Sequence, residues 1–377
     1  MTYLFQNYAR KDFEIVSGQG VRVQDNFGKN YLDFTSGIGV VNLGHHHIAV
    51  EQALQDQARQ IWHMPNLYEN HLQEQVAQAL VGDLGYLGFF CNSGAEANEA
   101  AIKLARKATG KSKVVSFINS FHGRTYGAMT ATGQAAIHAG FIPLVPDFHY
   151  GEYNDFASLE LVDDKTACVM MELIQGEGGV LLADNTWVQA LAQRCLETGA
   201  LLVIDEVQTG MGRTGSLFAF QQFAIEPDIF TLAKGLGNGF PVGAMFGKKE
   251  LGAAFGPGSH GTTFGGNKLA MAVALAVTET MKAPGFFEEV QETSRLMEKK
   301  LDAISSGKIQ EIRGLGLMWG IELTSAEVLH ETMKALEDQG LLTLRAGERV
   351  LRLLPALTIT QEEMITGLEM IKGVLAD

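Results

Sequence analysis

Five short apolar runs that alternate with helical patterns constrain the fold of this chain more than any other feature. Each run is too short for a helix but long enough for a buried strand. Helical patterns intervene, for example at residues 48–62 and 72–81. The alternation predicts an α/β fold, an open and mostly parallel mixed sheet flanked by helices. The runs lie at residues 87–91, 113–117, 167–171, 201–204 and 229–232.

The segments on either side of this region have a different pattern. Residues 20–34 predict a β-hairpin, and a mixture of helices and strands follows the helix break at residues 284–285. We expect residues 46–275 to form a large domain. Residues 276–377 are expected to form a smaller α+β domain, to which residues 1–45 contribute.

Composition and charge narrow the possible partners and location. The chain has 377 residues, of which 46% are hydrophobic, enough for a sizeable core. A net charge of −14 argues against nucleic acid and anionic membranes, because binding a polyanion needs clustered cations. No leader pattern opens the sequence, and no window approaches 18 uninterrupted apolar residues. With three widely spaced cysteines, the chain is expected to be cytoplasmic and free of a disulfide framework.

Three consecutive histidines, at residues 45–47, are the strongest candidate for a metal site. Adjacent residues in an extended segment point to opposite faces, so three neighbours rarely bind one ion. We therefore predict no metal.

A candidate phosphate site follows the first apolar run. Residues 87–110 read as a strand, an Asn-Ser-Gly turn and an alanine-rich helix that ends at Gly110. The helix start presents free N–H groups, and Gly94 lets an oxyanion come close, so the turn can hold a phosphate. The alternative is simple capping of the helix by Asn92 or Ser93.

Phe121, His122 and Arg124 follow the second run and are expected at the same sheet edge as Ser93. An aromatic face can stack on a flat ring, and an arginine fork matches a carboxylate. The alternative is a structural Phe-His pair beside a solvated arginine.

Glu172 and Glu177 follow the third run within a glycine-rich turn. Paired carboxylates suit acid–base catalysis or a divalent metal, but a metal site needs more ligands than this motif supplies. Helix capping or an ion pair is the alternative.

The last two runs lead to opposite charges, Asp205 and Lys234. A carboxylate at the end of a buried strand needs a favourable partner, and burial beside glycines would lower the pKa of a reactive lysine. With an aromatic stack and a phosphate turn, this pair indicates pyridoxal 5′-phosphate (PLP), whose ring nitrogen Asp205 would keep protonated in place of a metal or protein cation. The Gly-x-Gly-x-Gly run after Lys234 enters Phe240 rather than a helix, so it is weak support for a dinucleotide site. Glu206 has no role here beyond a turn or ion-pair contact.

Over nearly its whole length the chain resembles the class III (subgroup II) aminotransferases of PLP-dependent fold type I. The resemblance implies a large domain and a smaller α+β domain. It is carried by Ser-Gly-Ala-Glu-Ala-Asn-Glu from Ser93, Phe-His-Gly-Arg-Thr from Phe121, Gln-Gly-Glu-Gly-Gly from Gln175, Asp-Glu-Val-Gln-Thr-Gly from Asp205, Ala-Lys-Gly around Lys234 and Gly-Thr-Thr-Phe-Gly-Gly-Asn from Gly261.

The resemblance also implies the role of each cofactor residue. Lys234 would be the catalytic Schiff-base lysine, Asp205 the partner of the ring nitrogen, and Gln208 a hydrogen-bond partner of the ring hydroxyl. The remaining contacts would be Ser93, Gly94 and Ala95 at the phosphate, Phe121 and His122 at the ring, and Thr263 from the other subunit of a homodimer with shared active sites.

Four further residues would bind substrates if the resemblance holds. Arg124 would bind the α-carboxylate of the amino donor, and Arg352 that of glutamate or 2-oxoglutarate. Glu177 would neutralise Arg352 while the donor is bound. Ile38, where ornithine-specific members have tyrosine, suits an acylated α-nitrogen.

The implied reaction is a ping-pong transamination in arginine biosynthesis. N2-acetyl-L-ornithine and 2-oxoglutarate would give N-acetyl-L-glutamate 5-semialdehyde and L-glutamate. Ornithine, succinylornithine, lysine or 4-aminobutyrate as donor is the alternative within the family. A nucleotide-binding dehydrogenase would explain the βαβ pattern without a role for Lys234, and a non-catalytic binding protein is the third possibility.

Overall fold

The computed structural model describes residues 2–82 and 84–376. The strands are β1 (Ile15–Gln19), β2 (Arg22–Asp25), β3 (Asn30–Asp33), β4 (Tyr86–Cys91), β5 (Lys113–Phe117), β6 (Phe148–Gly151), β7 (Thr166–Met171), β8 (Ile174–Gln175), β9 (Leu181–Leu182), β10 (Leu201–Asp205), β11 (Ile229–Leu232), β12 (Gly243–Lys248), β13 (Ile309–Leu315), β14 (Met318–Leu323), β15 (Leu341–Leu342), β16 (Leu344–Ala346) and β17 (Val350–Leu353).

Helices fill the intervals between many of these strands. They are α1 (Ser36–Gly39), α2 (Ile48–Ala58), α3 (His71–Val81), α4 (Gly94–Thr109), α5 (Tyr126–Ala131), α6 (Ala135–His138), α7 (Asn185–Thr198), α8 (Lys268–Lys282), α9 (Phe286–Asp302), α10 (Ala326–Gln339) and α11 (Gln361–Leu375). Short 3-10 helices occupy Phe156–Leu161, Ala219–Gln222, Lys234–Leu236 and Lys249–Phe255.

A seven-stranded sheet forms the centre of the fold, in the order β4-β12-β11-β10-β7-β5-β6. The pairs from β11 to β6 are parallel, and β12 is antiparallel to both of its neighbours. This confirms the predicted α/β class with a mostly parallel mixed sheet. Because the carboxyl ends of parallel strands share one edge, the polar residues that follow β4, β5, β7, β10 and β11 meet there.

Helix α4 shows how local residues define one end of this edge. Ser93 is the N-cap, and its hydroxyl accepts a hydrogen bond from the N–H of Glu96 at 3.2 Å. Gly110 ends the helix in the left-handed conformation, as the sequence predicted. Ala97, Ala100 and other small buried residues let the helix pack closely on the sheet.

Smaller sheets carry the two ends of the chain. An antiparallel sheet has the order β13-β14-β17-β16. A second sheet, β1-β2-β3-β15, contains the predicted hairpin and adds the C-terminal strand β15 parallel to β3. These contacts support the proposal that residues 1–45 belong with residues 276–377, while the boundaries themselves stay a prediction.

Candidate functional site

A cavity of about 420 Å³ lies at the carboxyl edge of the central sheet. It is bounded by the turn after β4, the loop after β5 and the ends of β7, β10 and β11. The structure thus brings together residues that lie far apart in the sequence. The predicted residues that line it are Ser93, Gly94, Ala95, Phe121, His122, Arg124, Asp205, Gln208 and Lys234.

Asp205 has a buried protein partner in addition to the cofactor nitrogen that the sequence predicts. Oδ2 of Asp205 lies 2.7 Å from Nδ1 of His122, and the pairing with a cofactor nitrogen stays a prediction. Burial alone would lower the pKa of His122, and the carboxylate outweighs this effect, so that the pKa is raised. A strand-end carboxylate is costly to bury without such a partner, which explains why the two groups meet.

Asn98 and Thr231 complete the network around this carboxylate. The Asn98 amide donates to Oδ2 of Asp205 at 2.8 Å and to the carbonyl oxygen of His122 at 2.7 Å. Thr231 donates to the Asn98 side-chain oxygen at 2.8 Å, and the N–H of Val207 donates to Oδ1 of Asp205 at 2.9 Å. Asn98 was not predicted from the sequence, although a polar residue among the alanines near the start of α4 could have indicated it. The network leaves little freedom for Asp205 to rotate.

Lys234 begins a 3-10 helix directly after β11 and lines the same cavity. Its backbone has φ +41°, a left-handed conformation that non-glycine residues adopt rarely and that is frequent at functional sites. Burial lowers the pKa of its amine, which favours the neutral, nucleophilic form. A β-carbon on Gly235 would lie 2.4 Å from Nδ2 of Asn42, so a larger residue here would displace the Asn42 amide, which donates to the carbonyl oxygen of Met211.

The turn after β4 fits both interpretations made from the sequence, helix capping and phosphate binding. Ser93 caps α4, and the Glu96 carboxylate accepts hydrogen bonds from Asn92. The N–H groups of Gly94 and Ala95 belong to the first helical turn and have no acceptor within the helix. With the helix dipole, they form a binding site for an anion at the cavity wall.

Phe121 and Arg124 lie together at the opening of the cavity. The Arg124 guanidinium is 5.7 Å from the centre of the Phe121 ring, and Arg124 is exposed. The N–H of Phe121 donates to Oε2 of Glu172 at 2.9 Å, which fixes the main chain of the aromatic residue. A flat ring and a carboxylate could therefore be held side by side here.

Glu172 is a buried member of the site to which the sequence analysis assigned no single role. It lines the cavity, and burial raises its pKa to about 7, while nearby His122 and Lys234 act to lower it. Its position immediately after β7, next to the strand that ends in Asp205, was the signal that could have placed it. Its carboxylate accepts a hydrogen bond from the Phe121 N–H in the loop between β5 and α5, so it holds a loop rather than capping a helix.

Arg352 and Glu177 form the ion pair that the family resemblance implied. Nη1 of Arg352 lies 2.7 Å from Oε1 of Glu177 and 3.1 Å from Oε1 of Gln208. Arg352 is only 2% exposed. Burial alone would raise the pKa of Glu177, but the guanidinium outweighs it and keeps that pKa below its ordinary value. Gln208 connects this pair to the cavity.

Ile38 lies on a strained turn beside the cavity. Four consecutive residues, 36–39, have φ between +46° and +71°, so that α1 is a left-handed turn rather than a regular helix. A β-branched residue such as Ile38 is disfavoured there. Asp33 stabilises the turn by accepting hydrogen bonds from Thr35 and Ser36, and the turn leads into Val40, which lines the cavity. Ile38 itself is 43% exposed.

Thr263 is the predicted cofactor residue that lies apart. It is exposed on the segment between the Lys249–Phe255 helix and α8, and does not line the 420 Å³ cavity within the described chain. Its assignment to another subunit's site stays a prediction.

Glu206, beside Asp205, is buried and makes hydrogen bonds that hold neighbouring turns. Its carboxylate accepts hydrogen bonds from the Thr209 hydroxyl at 2.7 Å and the Phe220 N–H at 2.8 Å. Burial raises its pKa to about 7. It caps the Ala219–Gln222 helix, so a turn contact was the correct part of the expectation.

Residues 2–82 and 84–376 contain neither a metal-binding cluster nor a membrane-spanning helix. No group of three or more potential ligands there could hold a metal ion, and His45 and His46 face different carboxylates, Asp33 and Glu51. Within the same residues, none of the helices combines the length and apolar character needed to span a bilayer.

Comparison with known proteins identifies the class to which this site belongs. The family model described as Aminotransferase class-III matches residues 5–375. The chain therefore belongs to the class-III aminotransferase family, as the motifs implied. It is a PLP-dependent aminotransferase.

Individual relatives cover almost the whole chain. A Streptococcus mutans protein named acetylornithine aminotransferase is 56% identical over 99% of both chains, and one of the same name from Bacillus subtilis is 50% identical over 100% of this chain and 98% of its own. Among solved structures, an ornithine aminotransferase from Toxoplasma gondii has a TM-score of 0.93 at 32% identity, covering 99% of this chain and 92% of that one. An N-acetylornithine aminotransferase from Stenotrophomonas maltophilia has a TM-score of 0.84 at 36% identity, covering 97% and 96%.

The residues present fit PLP. The cavity offers an anion site at the start of α4, a half-buried lysine and a fixed carboxylate. In addition, Nε2 of His122 is buried without a hydrogen-bond partner among the described residues, so the network around Asp205 is not closed by protein groups alone. Each chemical part of the cofactor thus has a complementary group in one cavity.

Proposed function

We propose that the enzyme transfers the δ-amino group of N2-acetyl-L-ornithine to 2-oxoglutarate in two half-reactions, as a cytoplasmic step of arginine biosynthesis. The products are N-acetyl-L-glutamate 5-semialdehyde and L-glutamate. When bound, PLP supplies an aldehyde that carries the amino group and a ring that accepts electrons from the substrate carbon. The observation that carries the proposal is the masked arginine, Arg352, paired with Glu177 beside a cavity that contains Lys234.

Six residues besides Lys234 are proposed to hold the cofactor. The N–H groups of Gly94 and Ala95 and the Ser93 hydroxyl bind the phosphate, and Phe121 covers one face of the ring. Asp205 pairs with the ring nitrogen, and Gln208 donates to the ring hydroxyl. The short contact between His122 and Asp205 supports a positioning role for the histidine, which orients the carboxylate.

Lys234 is proposed to move the proton that the reaction requires. Its lowered pKa supports this role, because a neutral amine can take the proton that leaves the δ-carbon of the donor. The same Nζ then returns a proton when glutamate forms.

Two arginines are proposed to bind the two substrates in turn. Arg124, exposed at the opening, binds the distant α-carboxylate of acetylornithine. Arg352 binds the α-carboxylate of 2-oxoglutarate or glutamate, and Glu177 neutralises it while the longer donor is present. One pocket can thereby accept two substrates of different charge at the same position.

A homodimer is proposed to complete the site. Large apolar side chains near the start of the chain are strongly exposed, for example Tyr3 at 96% and Phe5 at 92%. Such a patch favours an interface with a second copy. Thr263 of the partner subunit would then join the phosphate turn.

Steady-state rates with a panel of donors and 2-oxoglutarate as acceptor test this proposal. Acetylornithine should be preferred over ornithine, succinylornithine, lysine and 4-aminobutyrate by kcat/KM. A clear preference for unacetylated ornithine would contradict the choice and favour the activity named for the Toxoplasma gondii neighbour. Membership of the aminotransferase family removes the dehydrogenase alternative.

A further inference from the structure

The loop between β8 and β9 carries Glu177 and consists mainly of glycine. The two strands pair antiparallel, so residues 176–180 form a hairpin loop with glycine at three of five positions. A β-carbon on Gly178 would lie 2.5 Å from the carbonyl oxygen of Asn119. Because such a loop has few side chains to pack, its position depends on contacts from the surrounding structure.

Arg313, on β13, holds the far end of this loop. Its Nη2 donates to the carbonyl oxygen of Gly179 at 2.7 Å, and its Nε lies 3.2 Å from those of both Gly179 and Val180. Its Nη1 forms ion pairs with Glu311 and Glu322. The planar guanidinium can bind carbonyl oxygens and carboxylates at once, which a lysine ammonium does less well. Arg313 therefore connects the loop to the C-terminal sheet.

Two further contacts fix the main chain of the loop, while the Glu177 side chain stays partly exposed. Val180 is fully buried, and the β-carbon that Gly320 lacks would approach it to 2.9 Å. The N–H of Gly347 donates to the carbonyl oxygen of Glu177 at 2.8 Å. The Glu177 side chain is 30% exposed, and its carboxylate lies against Arg352. The carboxylate can thus leave Arg352 by rotation, while the loop determines where it returns.

We propose that Arg313 is a positioning residue for the Glu177–Arg352 pair, and that it sets the balance between the donor and acceptor states of the site. The inference rests on the proposed function, in which acetylornithine needs Arg352 masked and 2-oxoglutarate needs it free. The apparent affinity of a ligand falls with the population of the state that binds it. A shift in this balance therefore changes the affinities of the two substrates in opposite directions.

The first experiment compares Arg313→Gln with the wild-type holoenzyme. Loss of the carbonyl contacts should loosen the loop, lower the KM for 2-oxoglutarate and raise the KM for acetylornithine. The ratio of donor KM to acceptor KM should rise about threefold to tenfold, as expected for one or two hydrogen bonds. Arg313→Lys, which keeps a charge beside Glu322, is the second variant if the first fails to fold, and the same direction is expected.

Arg349→Gln is the matched control. Arg349 pairs with the same Glu322, at 2.7 Å, and makes no hydrogen bond to residues 176–180 among the described residues. Its variant should leave the KM ratio within about twofold of wild type, because the Arg349 side chain is partly exposed and makes no hydrogen bond or ion pair with the described residues of the loop that carries Glu177. An equal shift in both variants would overturn the inference, since the effect would then come from Glu322.

A double-mutant cycle separates a positioning role from a general structural one. Glu177→Gln alone should raise the ratio, and adding Arg313→Gln should then change nothing more, because Arg313 acts through Glu177. An effect of Arg313→Gln that persists without the carboxylate would overturn the inference. If Glu177→Gln shifts the ratio and Arg313→Gln does not, the inference falls while the proposed function stands. If the wild type does not use acetylornithine, the proposed function itself fails.

Discussion

At the Asp205 end of the site, Asp205 is fixed at the end of a strand of the central sheet, whereas at the Arg352 end the buried Arg352 of β17 faces Glu177, which lies on a glycine-rich loop. Asp205 is 3% exposed and has contacts to His122, Asn98 and Val207. Glu177, at the other end, keeps a partly exposed side chain. The groups proposed to act in both half-reactions, around Asp205, thus lie at the rigid end of the site. The groups proposed to recognise two unlike substrates, around Glu177 and Arg352, lie at its adaptable end.

The largest effect is expected at the rigid end, from Asp205→Asn. The amide keeps the shape but removes the charge that would stabilise the protonated ring and His122. We expect kcat to fall by roughly 10²- to 10³-fold, as for other groups that stabilise charge in a buried site.

Separate measurement of the two half-reactions gives the decisive test, because both should be slowed equally. A loss of rate confined to one half-reaction would show that Asp205 does not act in both. A rate close to wild type would contradict the proposed role of Asp205.

The next largest effect is expected from Arg352→Lys at the adaptable end, and it should affect 2-oxoglutarate far more than acetylornithine. A lysine keeps the charge but cannot form the two-pronged contact with a carboxylate. The KM for 2-oxoglutarate should rise about 10- to 100-fold.

The kcat/KM for acetylornithine is the internal control and should change much less. If kcat/KM falls equally for both substrates, the Arg352 end of the site does not act on 2-oxoglutarate alone.

The different predictability of the two ends follows from the same contrast. Parallel strands deliver their following residues to one edge, so strand patterns alone predict that Ser93, Phe121, Asp205 and Lys234 lie together. The contact of Asp205 with His122, 83 residues away, depends on how a loop folds back, and no local pattern encodes it.

Other features could not be predicted because local preference opposes them. A β-branched residue is a poor candidate for a left-handed backbone, yet Ile38 adopts one because Asp33 and neighbouring hydrogen bonds hold the turn. Strand β12 was also missed, since its glycines, Gly243 and Gly247, weaken the apolar pattern. Helices α7 and α10 received no assignment from the sequence.

The buried carboxylate of Glu206, next to Asp205, should lower the free energy of unfolding at neutral pH. Its pKa is raised to about 7 from the ordinary value of 4.5. Between these values the folded protein holds a proton that the unfolded chain has released, so the free energy of unfolding falls as pH rises from about 4.5 to about 7 and then stays level. Glu206→Gln keeps an acceptor for the Phe220 N–H and removes the charge.

The variant should therefore gain stability over wild type at about pH 8, on the order of 3 kcal/mol, and gain little at about pH 5. Urea unfolding at the two pH values measures this. Glu172, whose pKa is also raised to about 7, should leave part of the pH dependence in place. A variant that is less stable than wild type at both pH values would show that the carboxylate stabilises the Ala219–Gln222 helix in its charged form.

Ile38→Tyr should give the smallest effect and examines the adaptable end alone. Tyrosine lacks the β-branch that the left-handed backbone disfavours, so the fold should tolerate the change. Its hydroxyl offers a hydrogen bond to a free α-amino group, which is worth about 1 kcal/mol or a few-fold in rate. The ratio of kcat/KM for ornithine to that for acetylornithine should rise about threefold to tenfold, with the 2-oxoglutarate KM unchanged. An unchanged ratio would remove Ile38 from the donor site and leave Arg124 and Glu177 as its proposed determinants.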